Sequence, residues 1–497
     1  MALYPVVEQG FSTLKLNYFC LIMRHCIFFV SFFLLELSSF AQEKWDLRKC
    51  VEYAMQNNIS VRQADLEIRF AELQLNQSKQ SLYPNANFST NVGYSAGRNQ
   101  DPTSFSLITT GYVFNNYSLQ ASVDVFNWFT KKNTIAANEL NLKATQVGVE
   151  KAKNDVALNV AVGYLQILLA REQITLAKSK VEQTKSQLES TRKQVDAGKL
   201  PELNAVNLEA ILASDSSSLI SAETAAQQSL LQMKALLNLD AAAPFDIFTP
   251  PVNAIPIESL ADLQPDAVYN LAIANMPQQK ADILKVQYAK KSVEVARGSM
   301  YPTFSLFGSL GSAFNNKAKE IKSKTQVIAP LGTVTVSGTP YQVFPLTPFD
   351  SYTFGKMKYF DQINQNFRQS VGLSASVPIF NGGNLRTAWQ RSKLNVKQSE
   401  LLQEQNSFTL KQDIYKAYND AVAAVQKFNA NKKTVESSQK AYDFAIKRYD
   451  LGLLSTYDLI TTQTNLQQAK SQLLYSQYDY VFKMKLLEFY KGQGLKL

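Results

Sequence analysis

The longest regular pattern in the chain is a run of small and apolar positions spaced alternately four and three residues apart. It comprises Val156, Val160, Gly163, Ile167, Ala170, Ile174, Ala177, Val181, Thr184, Leu188, Thr191 and Val195. Such a seam keeps one helix face against a neighbour turn after turn. The same spacing returns at Leu410, Ile414, Ala417, Ala421, Ala424, Phe428, Asn431, Val435, Ser438, Tyr442, Ala445 and Tyr449, with polar interruptions. A second seam lies beside the first at Leu158, Val162, Leu165, Leu169 and Leu176, so this helix expects neighbours on both sides, as in a ring of helices. The later copy has Gln412, Lys416 and Asn419 there, so the ring rests on one seam pair. The pattern predicts a helix from about Trp128 to Ala197, roughly 70 residues and about 100 Å at about 1.5 Å per residue. Helices near Asp46–Leu82, with the seam Ala64, Ile68, Ala71, Leu75, Ser78, Leu82, and near Glu202–Leu239 are about half as long. Two short helices end to end therefore match one long one, giving a two-rod antiparallel hairpin. Asn57-Asn58 and Asn275-Met276-Pro277 break the short helices near their starts.

Four segments alternate with period two instead. Phe88, Thr90, Val92 and Tyr94 oppose Ser89, Asn91 and Gly93; Leu119, Ala121, Val123 and Val125 oppose Gln120, Ser122 and Asp124. Segment 304–310 sets Phe304, Leu306 and Leu310 against Ser305 and Ser309, with Phe307 on the wrong face. Segment 371–379 sets Val371, Leu373, Ala375, Val377 and Ile379 against Gly372, Ser374, Ser376 and Pro378. One apolar and one small or polar face suits strands between lipid and a watery lumen; it also suits a soluble two-sheet domain with a covered face. Aromatics at the strand ends (Tyr83, Phe126, Trp128, Phe129, Tyr301, Phe380) favour a bilayer interface. Residues 97–117 and 312–366 are expected to be loops projecting on one side.

The chain is a duplication. Ser81-Leu82-Tyr83-Pro84 recurs as Ser299-Met300-Tyr301-Pro302, 218 positions on (81 to 299). Val123-Asp124-Val125-Phe126-Asn127 recurs as Val377-Pro378-Ile379-Phe380-Asn381, and Val195-Asp196-Ala197-Gly198-Lys199-Leu200 as Tyr449-Asp450-Leu451-Gly452-Leu453-Leu454, both 254 positions on (123 to 377, 195 to 449). The 36-residue difference (254 less 218) falls in the second loop. The expected organisation is a leader at 1–41, a first helix-strand-strand-helix repeat at 42–240, a surface linker at 241–263 and a second repeat at 264–497.

The leader reads as an export signal. An apolar stretch from Ile27 to Leu35, preceded by Arg24, closes on Ser39-Phe40-Ala41 before Gln42, with residues 1–22 upstream of the true start. Nine or so apolar residues cannot cross a bilayer core that needs about 20, and the surroundings of Cys20 and Cys26 do not suit a lipoprotein signal. Beyond Gln42 no apolar helix reaches spanning length, so a membrane crossing must use strands.

Chemistry is restricted accordingly. The single histidine, His25, lies in the leader, leaving no histidine base, no serine triad and few routes to a transition-metal site. Cys50 is the one cysteine after the leader, too few for a disulfide framework, and reads as a small helix residue. No enzyme, cofactor or metal is expected. The net charge of +10 is dispersed along amphipathic faces, which is not a nucleic-acid footprint.

Paired repeats of helix, Tyr-Pro, strand, strand, Phe-Asn, long helix and Gly-Leu turn resemble the TolC-type outer membrane factor family across about Trp45 to Gly492. The resemblance implies an α+β, mainly α fold. Duplicated coiled-coil hairpins form a trimeric α-barrel in the periplasm, and four strands per chain join a twelve-stranded transmembrane β-barrel in the outer membrane. Strand counting alone also admits a dimer, since single-chain outer membrane barrels start at about eight strands. It further implies a passive exit duct fed by a periplasmic adaptor and an inner-membrane pump, with outer membrane lipid around the barrel. A same-fold duct for type I protein secretion stays open, as does a non-pore periplasmic coiled-coil scaffold. Adaptor contacts are expected at Gly198, Lys199, Leu200, Gly452, Leu453 and Leu454. Tyr449 matches the family's gate tyrosine and Asp458 one of its pore acids; the second acid falls on Thr461, the gate arginine on Leu454, and the first repeat's acid on Asn204. Asp458 can equally serve the first turn of its own helix.

Overall fold

The computed structural model describes residues 44–100, 105–249 and 258–492. The export signal expected at 1–41, with Cys20, His25 and Cys26, lies outside the described residues.

In chain order the elements are α1 (Leu47–Asn57), α2 (Ile59–Gln80), β1 (Asn85–Gln100), β2 (Leu107–Phe126), α3 (Thr130–Asp196) and α4 (Leu203–Leu237). After a 3-10 turn (Leu260–Leu263) come α5 (Pro265–Asn275), α6 (Pro277–Gly298), β3 (Thr303–Asn315), β4 (Lys319–Val327), β5 (Gly332–Val336), β6 (Thr339–Val343) and β7 (Phe349–Lys356). The last are α7 (Tyr359–Gln365), β8 (Arg368–Ser376), α8 (Asn384–Asp450) and α9 (Thr456–Tyr490). The duplication is visible in element lengths: α3 and α8 have 67 residues each, α4 and α9 have 35, α2 and α6 have 22.

The same kink is made twice by different chemistry. Asn58 leaves the helical region, with φ −63° and ψ 135°, ending α1. Its side chain accepts from Ser60 N at 2.8 Å and donates to Leu236 O at 2.8 Å. In the second repeat Met276 adopts φ −64° and ψ 128° because Pro277, first residue of α6, excludes the helical conformation before it.

The chain divides into two compact units, each drawing on both repeats. Of the described residues, the first holds 44–68, 145–249, 258–281 and 403–492. Its cores follow the two long seams: Val156, Val160, Ile167 and Leu168 pack with Met233, Leu237, Tyr478 and Val481, while Leu410, Ile414, Ala417 and Ala421 pack with Val268, Ala272, Met484 and Leu487. The linker differs from the expected surface strap. Trp45 N donates to Asp246 O at 3.0 Å, Trp45 bridges Ile247, and Phe245 and Ile247 are buried in the first core. Burial of Phe245 and Ile247, within an Ala- and Pro-rich stretch, pulls it inward.

The second unit, residues 69–144 and 282–402, carries an antiparallel sheet in the order β1-β2-β3-β8. Its register places Phe88, Leu119 and Leu310 in one row and Val123, Leu306 and Leu373 in another, all on one face. That face is open: Val371 and Leu373 are 78% and 76% exposed, and Phe88 and Val92 are exposed too. Phe307 does stand on the opposite face, lying over its partner Gly372, where a Cβ would come within 2.8 Å of the ring. A side chain at Gly372 would fill the space that the ring occupies.

Four sequence expectations are corrected here. The first loop is far shorter than 97–117, because the ladder continues to Gln100↔Leu107 through Tyr94↔Val113 and Arg98↔Thr109, polar residues pairing as well as apolar ones. The second is not a plain loop across 312–366, since β4 pairs with β7 and β5 with β6, and α7 packs beside β3. β8 ends at Ser376, before Pro378, which has no N–H for the ladder. Leu82, expected in the α2 seam, lies beyond the helix and is exposed. Among the described residues no helix is long and apolar enough to cross a membrane.

Candidate functional site

The α3–α4 and α8–α9 turns are built alike. Lys199 N donates to Gln194 O at 2.9 Å and Gly198 N to Val195 O at 2.8 Å; Leu453 N donates to Arg448 O and Gly452 N to Tyr449 O, both at 2.8 Å. This is the Schellman pattern of a helix ending on a left-handed residue. Gly198 and Gly452 occupy that position with φ +70° and +74°. Glycine is therefore required by the backbone itself.

The six expected contact residues separate into two groups. Gly198, Lys199, Gly452 and Leu453 are exposed. Leu200 and Leu454 are half-buried against Tyr442, Ala445, Tyr449, Leu459 and Leu466. Leu200 thereby ties the first repeat's turn to the second repeat's cluster, and Ile460 reciprocates on Leu188, Ala205 and Leu208. Around the turns Leu203, Val206, Leu451 and Tyr457 are exposed apolar side chains that the sequence reading did not single out. Leu203 and Tyr457 stand singly among polar neighbours, and Val206 and Leu451 fall outside any regular spacing, so periodicity gives no signal.

Tyr449 faces the hairpin interior, 4% exposed. Its hydroxyl lies 3.1 Å from Thr191 Oγ1 and accepts from Thr456 Oγ1 at 3.3 Å, linking both repeats within one chain. Asp458 is exposed and occupies the first turn of α9: its N–H donates to Ser455 Oγ at 3.1 Å, and Ser455 Oγ donates to its carboxylate at 2.7 Å. That reciprocal pair is a capping arrangement, so the helix-start role is met while the carboxylate stays open to solvent.

A buried polar network, also missed, joins four helices of this unit. Lys180 Nζ lies 2.7 Å from Asp215 Oδ1, and Thr184 Oγ1 donates to Asp215 Oδ2 at 2.7 Å. Gln463 Nε2 donates to Thr184 Oγ1 at 3.4 Å, Gln467 Nε2 donates to Gln183 Oε1 at 3.0 Å, and Gln183 donates to the Tyr442 hydroxyl. The one sequence cue was Asp215 opening a serine run at 216–218 inside a helix. Cys50 is fully buried, and burial first, with Asp46 second, pushes its thiol up to about 12. It is a packing residue, as read from the sequence.

A four-stranded sheet with an open apolar face, carried on a chain of duplicated long helical hairpins, is the architecture that a known class of envelope proteins shares. The chain belongs to the outer membrane efflux protein family, whose pattern matches residues 51–239 and 268–485. Its location is the outer membrane. It is 23% identical to the outer membrane protein TolC of Escherichia coli (strain K12) over 239 residues, 47% of this chain and 42% of that protein. To the pyoverdine export outer membrane protein OpmQ of Pseudomonas aeruginosa it is 23% identical over 386 residues, 76% of this chain and 68% of that protein. The chain thus aligns with less than half the length of the TolC relatives it matches, 29% and 42%. The solved structure of CusC, described for transmembrane channel formation, superposes with a TM-score of 0.72 at 17% identity, covering 92% of this chain and 95% of that one. At that identity the likeness speaks for the fold.

Proposed function

We propose that three copies of this chain close a twelve-stranded barrel in the outer membrane and form an efflux duct. A periplasmic adaptor and an inner-membrane pump load small molecules into it. The observation that carries this reading is the sheet: four antiparallel strands with both edges, β1 and β8, unpaired and an apolar face uncovered. The two edge strands run in opposite directions, so β8 of one copy pairs antiparallel with β1 of the next and the ring closes without a free edge. Exposed apolar stripes on single helices, Leu394, Leu401 and Phe408 on α8 and Leu66, Phe70 and Leu73 on α2, have heptad-like spacing and supply further contacts between copies. A non-pore scaffold would need its sheet face covered, and it is open.

The exposed turn residues Gly198, Lys199, Gly452 and Leu453, with Leu203, Val206, Leu451 and Tyr457, form the adaptor's apolar landing surface, while Leu200 and Leu454 hold the two turns together. Tyr449 braces the closed tip within each chain. Leu454 in place of arginine and Asn204 in place of an acid leave closure to the Tyr449–Thr191 contact and to packing. Three Asp458 carboxylates at the narrow mouth favour cations. A relative named for pyoverdine export, aligned over 76% of this chain, supports a small-molecule cargo, whereas one named for alkaline protease secretion aligns over 26%.

Electron microscopy of the protein extracted from outer membranes tests the assembly. A threefold particle with a detergent belt around the strands is expected; a beltless soluble particle would overturn the proposal.

A further inference from the structure

The insertion that distinguishes the second repeat is an amphipathic ribbon, and its charge pattern breaks a rule of strand pairing. Lys319 and Lys356 stand directly opposite each other across β4 and β7. Like charges so placed destabilise a sheet, and neither has an acidic partner among the described residues. The register puts Ile321 with Phe354 and Lys324 with Tyr352 on that same face, all exposed, and ends it on Gln326 with Asp350. The other face carries Glu320 with Gly355, Ser323 with Thr353, Thr325 with Ser351 and Val327 with Phe349. The first side thus carries the Lys319/Lys356 pair with Ile321, Phe354 and Tyr352, while the other is mainly small and hydroxylic, with Glu320 near its base and Phe349 at its far end. Lys324 alone on the first side has an acid nearby, Asp350 at 2.8 Å.

The ribbon's base fixes its height. Met357 N donates to Ala318 O at 3.2 Å, and Asn316 N donates to Val113 O at 3.0 Å, anchoring it at the end of β3 and beside Val113 within β2. Beside it an aromatic group gathers: Tyr359 lies 4.8 Å from Phe314 and 5.3 Å from Phe360 between ring centroids, and its hydroxyl is 2.5 Å from that of Tyr117. Aromatic side chains of this kind settle at headgroup level. The lysine pair stands within a few residues of that belt.

We infer that the β4–β7 ribbon docks on the outer leaflet, its Lys319/Lys356 pair binding phosphate-bearing lipid headgroups while Phe354 and Tyr352 enter the interface. The like-charge pair is a cost in the free ribbon and is relieved when a lipid phosphate lies between the two ammonium groups. This rests on the outer membrane barrel proposed above, which puts the ribbon on the outer side. Basic residues at an anionic membrane surface each strengthen attachment, and two together contribute roughly 30-fold.

The test uses the full chain inserted in nanodiscs of phosphatidylcholine, with or without added lipid A, followed by hydrogen exchange of segments 319–327 and 349–356. Lipid A slows their exchange, and Lys319→Gln with Lys356→Gln loses the slowing by roughly 30-fold. Removing a repulsive pair does not threaten folding of this variant. Equal exchange in both discs would overturn the inference, as would equal slowing in the variant. Slowing produced in plain discs by inorganic phosphate alone would mean a free-anion site instead. Disulfide capture between Phe354→Cys ribbons of neighbouring copies, insensitive to lipid A, would mean a second copy covers the face. Failure to insert in either disc would overturn the barrel reading together with this inference, whereas unchanged exchange in inserted protein overturns this inference alone.

Discussion

Trp128 lies against Tyr301 with ring centroids 4.9 Å apart while its own backbone sits in the left-handed region at φ +52°. Phe129 follows at φ +61°, and the second repeat has Gly382 and Gly383 at the corresponding corner, at φ +65° and +79°. The corner between sheet and long helix therefore demands left-handed residues. The second repeat meets this with glycine, whereas the first keeps two bulky aromatics there against the local preference. Phe126 joins the group, 5.3 Å from Trp128 and 5.8 Å from Phe129 between centroids. An aromatic cluster at a sheet end is what an interfacial belt requires, and the strain is accepted for it.

Comparing two substitutions separates ring from backbone. Trp128→Ala loses the ring contacts and keeps the strained backbone, whereas Trp128→Gly loses the contacts and relieves the strain. Trp128→Gly is expected to be more stable than Trp128→Ala by about 1–2 kcal/mol, read from thermal unfolding of the purified protein. Equal stabilities would mean the corner is not under conformational strain.

Asp458 offers a functional readout that leaves the fold intact. Asp458→Asn keeps an oxygen able to accept from Ser455 Oγ, so the start of α9 is preserved. If the three carboxylates line the mouth, the variant shows a smaller preference for cations in planar-bilayer recordings under a salt gradient. An unchanged reversal potential would confine Asp458 to capping.

How much of this was legible in the chain depends on which force shaped each part. The seams through Val160, Ile167 and Thr184 and their copies through Ile414, Ala421 and Tyr442 are buried as their spacing predicts, because a heptad face reports its own burial. Strand ends were not legible: Arg98 pairs with Thr109 and Asn91 with Asn116 because a ladder needs only backbone groups, and polar residues supply them equally well. The ribbon of β4–β7 was hidden for the same reason. At the tip, Gly198 and Gly452 were readable from turn chemistry, but the inward turn of Leu200 and Leu454 was not. Their burial depends on the other repeat's hairpin, which no local pattern encodes. Asp215 was illegible because its partner Lys180 comes from another helix.

Cys50 makes the alkaline behaviour of the fold testable. Its folded thiol titrates at about 12 against an ordinary value of 9.0. Below pH 9 both states hold the proton and the contribution to stability is fully present. Between about 9 and 12 the unfolded chain releases a proton that the folded chain retains, so stability falls as pH rises. Cys50→Ala should therefore lose less stability than the parent across that window in parallel urea titrations, and iodoacetamide at about pH 8.5 should label the parent only after unfolding. Prompt labelling of the folded protein would place the thiol at the surface.

The Lys180–Asp215 pair should respond unequally to loss of either partner. Asp215 is 2% exposed on its side chain, whereas Lys180 is 31% exposed and can turn its ammonium group to water. Asp215→Ala frees a lysine that re-solvates and leaves Thr184 Oγ1 without its acceptor, a cost of about 1–3 kcal/mol. Lys180→Met instead strands a carboxylate in the helical core with only Thr184 to satisfy it, a cost of about 3–5 kcal/mol. Replacing the trio together, with Lys180→Met, Asp215→Leu and Thr184→Val, should recover part of that loss, because the carboxylate and the hydroxyl go together and only Gln463 Nε2, bonded to Thr184 at a long 3.4 Å, loses its acceptor. Urea unfolding of the four proteins decides the order. If Asp215→Ala proves the more damaging single change, the ion pair is contributing net stability, and the network is a clamp across the hairpins and not a tolerated burial.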